Sequence, residues 1–169
     1  MLLEKPYDRG AAVDYAARWA FDRNPRYLDF RGLGGDCTNV VSQCVFAGSG
    51  QMNYTADTGW FYISADNRAA AWTGVPYFYK FMTSNAGPGP YGRPADLSEL
   101  RPGDVVQLGD AEGRFYHSLF VVGAGNVPSP DNIRVATHTA DSFDRPLGSY
   151  LYEQARGLHI EGVRRAGGR

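Results

Sequence analysis

Two cysteines and three histidines are the residues best suited to nucleophilic or acid–base chemistry, few enough to weigh singly. Cys37 stands in Gly34-Gly35-Asp36-Cys37-Thr38-Asn39-Val40-Val41-Ser42-Gln43-Cys44-Val45-Phe46-Ala47-Gly48. The glycines permit a tight turn that leaves the thiol accessible, Asp36 is a suitable N-cap, and Gly48 is a suitable stop. Val40, Val41, Cys44 and Val45 form an apolar stripe, so the pattern predicts a buried helix beginning at or beside Cys37. An unpaired cysteine is more often a small buried hydrophobe than a nucleophile. At a helix start, however, free amides and the aligned dipole favour the thiolate, the nucleophilic form. Cys44 follows seven residues later, ~10 Å further along the axis. It has no free amides nearby and is expected to be a packed core thiol. The distance also rules out a disulfide between the two within an intact helix.

His117 lies in Phe115-Tyr116-His117-Ser118-Leu119-Phe120-Val121-Val122, where both alternating faces are apolar. That is a strand buried on both sides, and a histidine in it needs a partner. It is either a satisfied core residue or a base held against a nucleophile. A catalytic imidazole also needs a third group to fix its tautomer. His138, in Ile133 to Thr139, is a candidate if the two strands are neighbours, with Asn126 and Asp141 as competitors and a purely structural role as the alternative. His159 has no such context and is read as structural or exposed.

The elements that must position these residues follow from periodicity. Ala12, Tyr15, Ala16 and Trp19 recur at helical spacing after Tyr7-Asp8-Arg9, predicting an amphipathic helix that ends near Arg23-Asn24-Pro25. Residues 76–83 are expected to be a short helix, and the glycines and prolines of 87–94 an irregular loop. The last third changes to strands: Asp104 to Leu108, Phe115 to Val122, Ile133 to Thr139 and Leu158 to Val163. Helices followed by a small antiparallel sheet make an α+β fold, expected as a single domain over residues 1–169.

Seventeen basic residues against eighteen acidic ones, a net charge of −1, give no general attraction to nucleic acid or anionic lipid. No apolar run approaches the ~18 residues of a membrane span, and the first residues do not read as a signal peptide. The expected location is therefore the cytoplasm, or an exported protein from which this is a domain. The cysteine spacing does not suit a Cys-x-x-Cys metal knuckle. A zinc site on Cys37, His117 and His138 is the alternative that metal analysis would separate. Trp60, Trp72 and the aromatics from Tyr77 to Phe81 are candidates either for a cleft wall or for the core.

With these residues in place, the chain resembles the bacterial putative amidase domain family. The resemblance rests on Tyr7-Asp8-Arg9, Arg23-Asn24-Pro25, the block from Gly34 to Gly48, Pro102-Gly103-Asp104, His117-Ser118 and Thr137-His138-Thr139-Ala140-Asp141. It implies kinship with CHAP and NlpC-type enzymes, and a papain-like fold with a nucleophile helix packed on a small antiparallel sheet or partial barrel. It further implies Cys37 as nucleophile, His117 as base and His138 as third group. The implied activity is hydrolysis of an amide or peptide bond through a thioester, in substrates such as cell-wall peptides, with no metal or cofactor. Acyl transfer by the same pair and a non-catalytic binding module are the alternatives. One departure stands out: papain-like proteases carry Gln six residues before the cysteine, and here that position is Arg31.

Overall fold

The computed structural model describes residues 1–167. The chain opens with β1 (Leu2–Lys5) and α1 (Arg9–Trp19), the latter capped by the Asp8 carboxylate, which accepts the Ala11 N–H at 2.9 Å. A loop leads to α2 (Asp36–Ser49). After it come the small hairpin β2 (Tyr62–Ser64) and β3 (Asn67–Arg68), then α3 (Ala70–Thr73) and α4 (Val75–Ser84). The remainder is strand: β4 (Gly89–Ala95), β5 (Val105–Gly109), β6 (Phe115–Gly123), β7 (Arg134–Thr137), β8 (Ser142–Pro146) and β9 (Gln154–Ala166). Helices on an antiparallel sheet make this an α+β architecture. Among the described residues, no helix is long and apolar enough to cross a membrane.

The main sheet runs β1-β9-β5-β6-β7-β8, with β4 on the other side of β9. Its centre is β9, whose thirteen residues pair with β5 and then β1 along one edge and with β4 along the other. Pairing with β1 brings the ends together: the Gly167 N–H donates to the Met1 carbonyl at 2.7 Å. Each face of the sheet carries its own apolar cluster. Val105, Phe120, Leu158 and Ile160 pack with the helices, while Val106, Leu108, Leu119 and Val121 pack on the far side with Ile133, Val135 and Leu147. The expectation that the strand around His117 is buried on both sides matches this split.

Several local expectations differ from the structure. The first helix stops at Trp19, short of Arg23. Residues 87–94, expected as loop, mostly form β4. Pro90 and Pro94 cannot donate to a ladder, but among the described residues β4 pairs only with β9, and such an edge strand tolerates them. Helix α2 runs past Gly48 to Ser49, with Gly50 as its left-handed C-cap. Gly48 serves packing instead, since a Cβ there would stand 2.6 Å from both the Asp8 carbonyl and the Tyr7 ring. Trp60 and Trp72 are fully buried core residues, their ring centroids 4.8 Å apart, and not walls of an open cleft.

Candidate active site at the start of the buried helix

Helix α2 is buried along nearly its whole length and packs against α1, α3 and β6. Its apolar stripe is the predicted one, but Thr38, Asn39, Ser42 and Gln43 are buried too. Their polar atoms are satisfied by partners. Trp72 Nε1 donates to Asn39 Oδ1 at 3.1 Å, and Trp60 Nε1 donates to Ser42 Oγ at 3.0 Å. The indoles thus fix the helix by hydrogen bonds as well as by area.

Asp36 is not the N-cap. That position is Gly35, at φ 91°, and a Cβ there would also meet the Thr73 carbonyl at 2.8 Å, so the residue is confined to glycine twice over. The Asp36 carboxylate turns inward instead. Oδ1 accepts the Phe30 N–H at 3.2 Å and Asn39 Nδ2 at 3.1 Å. Oδ2 stands 3.2 Å from Arg23 Nη2 and 2.9 Å from His138 Nδ1, the latter a close polar contact without the alignment of a hydrogen bond. Burial works to raise this carboxyl, but the contacts with His138 and Asn39 outweigh it and hold it at about 2. Arg23 extends the cluster to Asp141 and Asp29, at 2.9 and 3.3 Å.

Cys37 occupies the first turn of α2 with 6% of its surface exposed. The helix start leads one to expect a thiol pulled down, yet it lies above its ordinary value. Burial is the largest influence, opposed by the backbone amides of Ser118 and Thr38 and by the Thr38 hydroxyl. Desolvation therefore outweighs the local donors, and the resting group is a thiol. Cys44, 1% exposed, is pushed up much further by burial alone, with no outside donor. That matches the core thiol expected there.

His117 follows the alternation of β6. Ser118 and Phe120 face the helices, whereas Leu119 and Val121 belong to the far cluster. The His117 ring lies edge-on to Tyr150 at 6.0 Å. Burial, then the charge of Arg145, lowers it to about 4, so at neutral pH it is an unprotonated imidazole. The structure brings the backbone amide of Ser118 to Cys37. The His117 side chain shares the face of Leu108, Leu119 and Val121 and points away from α2 toward Tyr150, so the expected pairing of His117 with the Cys37 sulfur is not formed. Strands β6 and β7 are neighbours, as anticipated. The His138 ring nevertheless addresses Asp36 and, through Nε2, the Trp19 carbonyl at 2.8 Å, not His117. Asp141 is bound to Arg23. His159 is structural, its Nδ1 2.9 Å from Asp104, a buried carboxylate that also holds Arg9. Among the described residues no three His, Cys, Asp or Glu side chains gather as metal ligands do, so the zinc set of Cys37, His117 and His138 is not assembled.

Beside the first turn of α2 opens a cleft of about 290 Å³, lined by Phe30, Arg31, Gly34, Gly35, Asp36 and Thr139. Its rim is conformationally constrained: Thr139 and Ala140 have φ of 70° and 54°. For a β-branched residue that is a costly conformation and one typical of ligand-facing turns. Neither this strain nor the inward turn of Asp36 has a sequence signal. The polar residues interrupting a buried stripe at 38, 39, 42 and 43 are the signal that was available for Thr38 and its neighbours.

This site and sheet belong to a named class. The chain matches the family described as "Putative amidase domain" over residues 6–160 and is a member of it. It is also 36% identical over 155 residues to a Bacillus subtilis protein named "Uncharacterized protein YhbB", covering 88% of this chain and 46% of that one. The chain thus spans about half the length of that relative. No solved structure matches it.

Proposed function

We propose that the chain is a cysteine amidase with a papain-like arrangement, akin to CHAP and NlpC-type enzymes, acting on an amide or peptide bond of a cell-wall peptide. The observation that carries this reading is the placement of Cys37 in the first turn of α2, beneath the amide of Ser118 and beside the cleft that Arg31 lines. The family description agrees with amide hydrolysis. Because burial keeps Cys37 a thiol and the His117 ring lies across the sheet from it, the attack is not that of a preformed ion pair. The thiol proton passes to the nitrogen of the scissile amide as the sulfur adds to the carbonyl. The amine departs with that proton, leaving a thioester. Water adds to the thioester, and one of its protons goes to the sulfur as the acid is released. The amide of Cys37 is the proposed oxyanion donor.

Muropeptide hydrolysis by wild type and Cys37→Ser is the direct test. The variant is expected to lose at least ~10³-fold of kcat, as removal of a covalent nucleophile does. With the His117 ring on the far face, kcat/KM is expected to rise toward alkaline pH as the raised Cys37 thiol ionises, with no limb from His117. The burial of Cys37 and the packing of His117 on Tyr150 favour a second reading, a binding module on the same fold. Equal ligand affinity in wild type and Cys37→Ala with no turnover would select it.

A further inference from the structure

Arg156, on β9, has no carboxylate partner among the described residues, although it is half-buried between the faces of Tyr79 and Phe115, at 3.6 and 3.9 Å. Its hydrogen bonds go to a single atom: Nε and Nη2 donate to Gln107 Oε1 at 3.0 and 2.7 Å. A guanidinium can only donate, so the Gln107 side chain has one orientation, oxygen toward Arg156 and nitrogen away. That nitrogen donates to the Val75 carbonyl at 2.8 Å and to Ser118 Oγ at 3.1 Å. Ser118 Oγ lies 2.9 Å from Thr38 Oγ1, which lies 3.8 Å from Cys37 Sγ.

The hydrogens in this buried chain can be counted. Ser118 Oγ accepts from Gln107. If it also accepted from Thr38, its own proton would be buried without a partner, at a cost of about 1–3 kcal/mol. The arrangement that uses every hydroxyl proton has Ser118 donating to Thr38, and Thr38 donating to the sulfur. The direction is set at the far end, by the one residue that cannot accept.

We propose that Arg156 is a positioning residue for Cys37, polarising a one-way chain through Gln107, Ser118 and Thr38 that ends in a hydroxyl donor aimed at the sulfur. The proposal rests on the reading of Cys37 as the reactive thiol. It adds to the Ser118 and Thr38 amides a further source of positive potential on the thiolate that develops as the thiol gives up its proton. The charged group about the sulfur is Asp36, on the same helix, whose charge opposes the thiolate; His117 on β6 faces Tyr150 across the sheet. Arg23, in the loop after α1, and His138, just past the end of β7, are directed to Asp36. The chain also leaves the thiol proton uncommitted, free for transfer.

The test is the pH profile of Cys37 alkylation by iodoacetamide, with the label located by mass spectrometry so that Cys44 is counted separately. Thr38→Val and Gln107→Glu are expected to move the profile to higher pH and slow labelling at pH 8 by up to about tenfold, one pKa unit. Gln107→Glu still binds Arg156 but cannot donate to Ser118. Arg156→Met is expected to shift it in the same direction by about threefold, and Thr38→Ser to label like wild type. Unchanged profiles in Thr38→Val and Gln107→Glu, or an unchanged one in Arg156→Met beside a shifted Thr38→Val, overturn the proposal. Circular dichroism confirms that each variant is folded. No turnover is needed, so a chain that hydrolyses nothing yet shows these shifts keeps the relay and loses the amidase reading. A chain that hydrolyses amides through Cys37 without them does the reverse.

Discussion

Asp36 and Thr38 flank Cys37 in sequence, and their side chains lead into two different networks. From Asp36 the path is ionic: Arg23 holds three carboxylates, and His138 closes on the same oxygen from β7. From Thr38 the path is made of neutral hydroxyls and one amide, with a single charge at its far end. The ionic side ties the loop after α1, the start of α2 and the end of β7 to one point. The neutral side ties α2 to β6, β5 and β9 and fixes the direction of every hydrogen along the way. A buried charged cluster is strong but must be complete, because a lone remaining charge is expensive. A neutral chain tolerates loss of a member more readily, yet it alone reaches the sulfur with a donor. Anchoring and tuning of the same residue are thus assigned to opposite sides.

The largest effect should come from breaking the ionic side. Arg23→Ala leaves the buried Asp36 and the partly buried Asp141 without their cation and is expected to lower unfolding free energy by about 3 kcal/mol, read from urea denaturation. Next comes acid. The folded-state value of Asp36 is depressed from 3.8 to about 2, so its contribution is present above pH 4 and lost as pH falls through 2, an effect of about 2 kcal/mol. Asp36→Asn should remove that part of the acid dependence while lowering stability at neutral pH, measured by urea midpoints from pH 7 to 2. The smallest effect belongs to the neutral side. Thr38→Val should cost about 1 kcal/mol in urea and leave the acid dependence of stability unchanged, because no carboxylate loses a partner. If Thr38→Val alters that acid dependence, the two networks are coupled and the division fails.

Local pattern carried part of this structure. The stripe of Val40, Val41, Cys44 and Val45 identified α2 because helical periodicity needs only its own residues. The double-sided apolarity of residues 115–122 identified a central strand for the same reason. Strand β4 was illegible, since Pro90, Pro94 and their glycines read locally as loop and the ladder that holds them comes from β9. The candidate site divides likewise. Cys37 and His117 stand out as residue types in context, but the partners of His138 do not. The relay links residues 80, 11 and 49 positions apart, from four elements, and no local window contains it.

The pairing of β1 with β9 has a mechanical consequence. The two ends of the described chain emerge side by side, on neighbouring antiparallel strands joined by the Gly167 to Met1 hydrogen bond. In an antiparallel ladder the bonds lie across the strands, so tension applied through the two ends pulls along those bonds and opens them one pair after another. The domain should peel under low force, as a zipper does, from Leu2 and Ala166 toward Lys5 and Val163. The first turn of α2, with Cys37, carries none of that load until β1 has come away.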